Sequence, residues 1–344
     1  MKNFYYTVLL LILFSCGSYQ PVLVSKEYLF AGHSAGFRQC HASTLTETRD
    51  GRLLCAWFGG DHEGDASVKI WMSELDRKTW SLPKAVADGR LPDGTVLPAW
   101  NPVLYTIPES DSVFLFYKAG ANPRTWEGWY KTSADQGKHW SEAGRIGKGL
   151  IGPVKNRPLL LADGNLISPS SREFTEKDWK VHLERSKDHG KSWEIIPINH
   201  EQKEVQVIQP SIIEHRNGML QLLARSRQNR VLTAFSHNGG NAWTPWEETN
   251  LANPNSGTDA IRLKNNLLLI VYNPETSGQN WWEGRTKLHV ALSGDGKTWK
   301  DVLVLENGQK GDEYSYPTVL QASDGKIHIS YTWNRSRIVH AVLK

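Results

Sequence analysis

Cysteine and methionine are scarce in this chain, three of each in 344 residues, and no run of five or six Lys or Arg occurs anywhere. Three cysteines are too few for a disulfide-stapled scaffold, and Cys40 with Cys55 cannot complete a zinc site alone. These two fall on successive predicted strands on either side of Asp50-Gly51, out of register, which argues against a disulfide between them. No metal or other cofactor is expected. Forty basic residues against 36 acidic ones give a formal net charge of +4, small for this length, so nothing points to a nucleic-acid partner. What is present is globular: 39% hydrophobic, 10% aromatic and 22% charged residues, which argues against disorder and against a multipass membrane protein.

The hydrophobic outlier is the N-terminus, where Met1-Lys2 leads into an apolar run from Phe4 to Phe14 closed by Ser15-Cys16-Gly17. The run is too short to span a bilayer and has the order of a secretory signal. Leu13-Phe14-Ser15-Cys16 resembles a bacterial lipobox, with Cys16 as the lipidated residue. The expected division is therefore a signal over residues 1–15, a short tether over 16–24 and a globular unit over 25–344. Export to the cell envelope follows, with membrane contact only through lipid at Cys16; a plain secreted form is the alternative.

Internal repeats organise the rest. Ser133, Asp135, Gly137 and Trp140 fit the pattern S-x-D-x-G-x-x-W, repeated as Ser186, Asp188, Gly190 and Trp193. A third copy (Ser236, Asn238, Gly240, Trp243) exchanges Asp for Asn, and a fourth (Ser293, Asp295, Gly296, Trp299) is one residue shorter. A fifth, Ser73 to Trp80, keeps only the ends. The five tryptophans are 60, 53, 50 and 56 residues apart, a supersecondary period. In phase with them run six tight turns, at Asp50-Gly51, Asp111-Ser112, Asp163-Gly164, Asn217-Gly218, Asn265-Asn266 and Asp324-Gly325, each between strand-like runs. Six hairpins and five later turns predict an all-β, six-bladed β-propeller. The last unit lacks a fourth strand, which the segment from Val22 to Phe30 can supply. The Ser/Asp/Gly/Trp box itself reads as a structural turn, at the end of each unit opposite the loops that follow.

In a propeller the links from strand four to the next strand one, and from strand two to strand three, emerge on one face. Their polar residues converge: His41 and the loop Asp61-His62-Glu63-Gly64-Asp65 from the first unit; Asn101, Lys118, Arg124 and Glu127 from the second; Lys155, Asn156 and Arg172 from the third. Gln209 and Arg225 come from the fourth unit, Asn255, Asp259, Glu275 and Arg285 from the fifth, and Tyr314 and Tyr316 from the sixth. So many cations around a small pocket imply an anionic ligand, carboxylate or phosphate.

On these repeats, the late Tyr and the Arg residues at strand edges, the chain resembles the sialidase (neuraminidase) superfamily over about residues 30–344. The resemblance implies hydrolysis of terminal sialic acids by an arginine triad, a Tyr nucleophile activated by Glu, and an Asp acid/base. Arg285, eight residues before Ser293, and Arg225 match two triad positions; Tyr316, eight residues before the last Asp-Gly turn, matches the nucleophile. Asp65 matches the acid/base, with Asp61 as alternative. Two positions depart. His41-Ala42-Ser43 stands where the family carries Arg-Ile-Pro, and Gln209, sixteen residues before Arg225, stands where it carries Glu. Gln cannot accept the proton of a phenol, so another carboxylate such as Glu313 or Glu275 takes over, or the chemistry differs.

Three classes follow: an exo-glycosidase for an acidic sugar; a lyase or other glycosidase acting on a uronate, with His41 and Tyr316 as base and acid; and a carbohydrate-binding propeller without catalysis. His41 is expected as a weak third partner of the substrate carboxylate, strengthening binding below about pH 6.5 as its imidazole charges. Asn101, Lys118, Lys155, Asn156 and Tyr314 are expected to line the same pocket.

Overall fold

The computed structural model describes residues 19–31, 36–198, 204–280 and 282–344. The expected signal and Cys16 lie outside the described residues. Six antiparallel sheets follow one another around an axis: the second to fifth are each built from four successive strands, the first has a fifth strand, and the sixth has three successive strands completed by one from the N-terminal segment. The fourth blade is representative: Val207–Glu214, Leu220–Ser226, Arg230–Ser236 and Glu247–Ala252, innermost to outermost. Closure follows the expected route. Leu23–Tyr28 pairs with Arg337–Leu343, Glu27 opposite His340, so the first strand among the described residues is the outermost strand of the last blade. The only helical element among the described residues is a single 3-10 turn, Pro123–Thr125.

The core lies between blades. Each sheet has apolar side chains on both faces, and six clusters result, one at each junction of neighbouring blades. Leu222 and Leu232 of the fourth blade, for instance, pack against Val181 and Leu183 of the third. Two-sided burial explains why many inner strands read as continuous apolar runs rather than as alternation.

The repeated boxes hold the hairpin ends opposite the site. In each of the four that carry an Asp or Asn, Ser Oγ donates to the carboxylate or amide oxygen and accepts from the Gly N–H, as Ser186 does with Asp188 at 2.8 Å and with Gly190 at 2.7 Å. Asn238 makes the same bond with Ser236 at 3.0 Å, so the amide replaces the carboxylate without loss of geometry. The Gly is in the left-handed region, φ 89° at Gly190, where a Cβ would strain the turn. The Trp that ends the box packs towards the preceding blade: Trp193 meets Phe116 edge-on, ring centroids 6.1 Å apart.

Candidate functional site

The inner strands of four blades share one irregularity near their start. Pairing registers slip between His41 and Thr44, at Asn101-Pro102, between Ile208 and Ser211, and between Ser315 and Thr318. At each slip one residue has positive φ: Ala42 (55°), Asn101 (35°), Gln209 (55°) and Tyr316 (52°). Three of them precede Pro102, Pro210 or Pro317, and the proline ring disfavours the right-handed helical conformation for the residue before it. A bulge with a left-handed residue breaks the alternation of side chains and re-aims one of them, at a cost on the order of 1 kcal/mol each. Tyr316 and Gln209 are thereby brought together at one end of the axis.

Tyr316 is the centre of that end. Arg225 Nη1 donates to Tyr316 Oη at 2.6 Å and to Gln209 Oε1 at 3.2 Å, while Arg225 Nε donates to Asn255 Oδ1 at 3.0 Å. The guanidinium carbons of Arg225 and Arg285 lie 5.6 and 5.9 Å from the centroid of the Tyr316 ring, and Lys155 Nζ lies 6.0 Å from it. His41 packs on the same ring, centroids 4.3 Å apart, with Nδ1 3.0 Å from Thr332 Oγ1. Burial, aided by the neighbouring Arg335, pushes the His41 pKa well below 6.5. Burial therefore favours the neutral imidazole of His41 against Tyr316, contrary to the cation expected of it in mild acid.

A cation from another blade stands close by. Arg335 sits in the three-residue turn Asn334-Arg335-Ser336 of the last hairpin, where Asn334 and Arg335 both have positive φ (46° and 49°). Its backbone carbonyl accepts from Cys40 N–H at 2.7 Å, and Glu313 N–H donates to Asn334 Oδ1 at 2.6 Å, which ties the turn to its neighbours. Glu313 joins two guanidiniums: Oε1 accepts from Arg285 Nη1 at 3.0 Å and Oε2 from Arg335 Nε at 2.7 Å. Burial opposes the charge on Glu313, but His41, Arg285 and Arg335 around it overcome this and hold its carboxyl well below the usual range; of the three, the two guanidiniums are permanently charged. Arg335 also bonds Glu63. An ion-paired carboxylate in such a fork fixes the guanidinium planes without side-chain search.

These groups open into a cleft of about 1270 Å³, lined by Arg225, Arg285, Arg335, Tyr316, Glu63 and Glu173 among others, with Trp100, Trp179 and Trp282 as aromatic wall. Several residues expected there lie elsewhere. Lys155 and Asn156 are buried below Tyr316 and plug the axis: Lys155 Nζ donates to the carbonyls of Thr258 (3.0 Å) and Pro317 (2.6 Å), and Asn156 Nδ2 to those of Gln209 and Thr258. Burial pulls the Lys155 pKa down to about 8. Lys118 is fully buried between blades, bonding the carbonyls of Asn101 and Pro153, and burial takes it to about 7. Asp259 accepts from Ser211 Oγ and Val319 N–H, and Tyr314 packs on Trp333 with burial raising it to about 12. Asn101, Lys118, Lys155, Asn156 and Tyr314 therefore support the floor and lie outside the cleft lining.

The first blade's loop divides. Glu63 faces the cleft, whereas Asp65 accepts from Ser67 N–H at 2.8 Å within its own turn, where the Ser67 side chain and then its N–H hold the carboxyl low, and Asp61 is exposed with Arg38 3.8 Å away. Glu275 accepts from Thr286 and Lys287 and is occupied as a local cap. Arg335 and Glu173 are cleft residues that the sequence did not single out as site groups, and Glu63 lies in the loop expected on this face, where Asp65 and Asp61 were the carboxylates expected to act. Arg335 and Glu173 sit at strand-two-to-three hairpins, on the face where such loops emerge, so the signal was topological.

Fold and cleft together define a six-bladed propeller of the sialidase type. The chain belongs to the BNR repeat-like domain family, whose model matches residues 51–329. A curated sialidase of Bacteroides fragilis (strain YCH46) is 27% identical over 194 residues, 51% of this chain and 34% of that protein, so the match spans about a third of the relative's length. Among solved structures, a protein of unknown function from Dyadobacter fermentans superposes with TM-score 0.76 at 16% identity, covering 94% of this chain and 99% of that one. The Hadza microbial sialidase Hz136 gives 0.75 at 18%, covering 92% and 68%. Trypanosoma rangeli sialidase in complex with sialic acid gives 0.72 at 15%, covering 93% and 58%. At such identities these are likenesses of fold.

Proposed function

We propose that the protein is an exo-acting glycosidase that removes a terminal acidic sugar, sialic acid or a relative, from a glycan. The observation that carries this reading is the set of three guanidiniums, Arg225 and Arg285 beside Tyr316 and Arg335 in the same open cleft. Guanidinium forks bind a carboxylate bidentately, which positions the anomeric carbon of an acidic sugar near Tyr316 Oη. A phenol suits that position, because a carboxylate nucleophile would be repelled by the sugar's own charge. Kinship with proteins described as sialidases supports the same chemistry. The test is a screen of the purified protein against sialosides and uronate-capped oligosaccharides, with release of the free sugar as the expected product and no release from either set as the overturning one.

A second reading rests on His41, a neutral imidazole packed 4.3 Å from Tyr316, together with Gln209 where a carboxylate base is expected. In a lyase, His41 and Tyr316 would move the proton α to a uronate carboxylate neutralised by Arg225 and Arg285. An unsaturated, ultraviolet-absorbing uronate in the same screen identifies that outcome.

We further propose export with lipid at Cys16, supported by the Leu13 to Cys16 segment. Cys16→Ser should release the protein from the membrane fraction, and unchanged association would remove the anchor.

A further inference from the structure

Six carboxyl groups line the cleft, and five are committed. Glu63 pairs with Arg335, and Glu313 with Arg285 and Arg335. Glu275 caps Thr286 and Lys287, Glu283 accepts from Asn280 Nδ2 at 3.0 Å, and Asp312 accepts from Gln309 N–H at 2.8 Å and Asn334 Nδ2 at 3.3 Å. The sixth, Glu173, has a carboxyl with no hydrogen bond or ion pair among the described residues. It lies near the end of Leu166–Thr175, paired across the hairpin with Trp179, and the register slips immediately after it. Glu173, Arg225 and Tyr316 line the same cleft, and Arg225, whose Nη1 bonds Tyr316 Oη, also acts electrostatically on Glu173.

Resting on the glycosidase reading, we propose that Glu173 donates the proton to the leaving glycosidic oxygen and then serves as the base that activates water. In the first half, the Glu173 proton moves to the glycosidic oxygen while the bond from that oxygen to the anomeric carbon breaks, its electron pair staying on oxygen. The aglycone leaves as an alcohol and Tyr316 Oη, its own proton released to solvent, bonds to the anomeric carbon. In the second half a water attacks that carbon and passes a proton to the Glu173 carboxylate, and the bond to Tyr316 breaks with its pair returning to Oη, which takes a proton back from solvent. The sum is glycoside plus water giving sugar and alcohol. Burial raises the pKa of Glu173 against the opposing charges of Arg225, Arg124 and Arg227, which favours the protonated form that the first half needs.

The test compares Glu173→Gln and Glu173→Asp with wild type on two sialosides, of lactose and of 4-nitrophenol, and on the matching glucuronides. A sugar alcohol is a poor leaving group and needs the acid; nitrophenolate does not. Glu173→Gln should lose about 10²- to 10⁴-fold in kcat/KM on the lactose glycoside and less than about tenfold on the nitrophenyl one. Glu173→Asp should recover part of the lactoside activity, and azide should restore turnover of the nitrophenyl substrate by the Gln variant. Equal losses on both substrates, or none, overturn the role of Glu173 while the glycosidase reading stands. If wild type cleaves none of the four, the glycosidase reading falls and this inference with it.

Discussion

Arg225 Nη1 is shared by Tyr316 Oη at 2.6 Å and Gln209 Oε1 at 3.2 Å, so a residue from the fourth blade's second strand links the bulges of two different inner strands. Neither bulged residue is near the other in sequence. A neutral amide at position 209 leaves the charge of Arg225 uncompensated by Gln209, and that charge faces the cleft.

Removal of the cations should therefore be felt in ligand binding. Arg225→Ala and Arg335→Ala should each weaken binding of an acidic sugar by about one to two orders of magnitude, equivalent to roughly 1.5 to 3 kcal/mol for a charge-assisted contact. Calorimetric titration with the free acidic sugar checks this. Equal loss of binding for a neutral sugar would assign Arg335 to scaffolding.

Tyr316→Phe keeps the ring that packs on His41 and removes only Oη. Turnover should fall by at least about 10²-fold while the melting temperature stays within a few degrees. Gln209→Glu places a carboxylate where Gln209 Oε1 now accepts from Arg225, beside Tyr316, and should raise turnover of a sialoside. Steady-state rates on one sialoside for both variants, alone and combined, test the pair.

The boxes carry stability rather than chemistry. Ser186→Ala removes a buried hydroxyl that both donates to Asp188 and accepts from Gly190 N–H, and should cost about 1 to 2 kcal/mol in urea unfolding with kcat/KM unchanged. A change in kcat/KM without a change in stability would show that this end of the blade reaches the site.

Acid should loosen the ring closure. His328 and His340 are stacked with Nδ1 and Nε2 2.9 Å apart; burial lowers both, His340 to about 3. The groups facing them are Glu27, Trp80, Asp324, Lys326 and Glu47. Because these folded-state values lie below the unfolded 6.5, the contribution is present above about pH 6.5 and is lost as pH falls below it, for His340 by roughly 1 kcal/mol per pH unit towards pH 3, with His328 acting in the same direction. Unfolding curves from pH 7 to 4 should show this slope, and His340→Gln should flatten it.

Much of this was written in the sequence. Box spacing and the in-phase turns determined six blades, because each box is a local hydrogen-bonded unit whose Ser, Asp and Gly bond one another within five residues. The missing fourth strand of the last blade determined how the ring closes. Arg225, Arg285 and Tyr316 could be placed on the loop face from the order of the strands, and the resemblance singled them out among its polar residues. The third guanidinium was decided by tertiary structure alone. Position 41, where the resemblance asks for Arg, holds a buried neutral imidazole, and the charge arrives on Arg335, 294 residues away in sequence and held by the fork on Glu313. The separation of Lys118, Lys155 and Asn156 from the cleft was decided there too. A cation at a strand start points into the cleft or into the floor according to the bulge beside it and the carbonyls within its reach, and both depend on neighbouring blades rather than on its own segment.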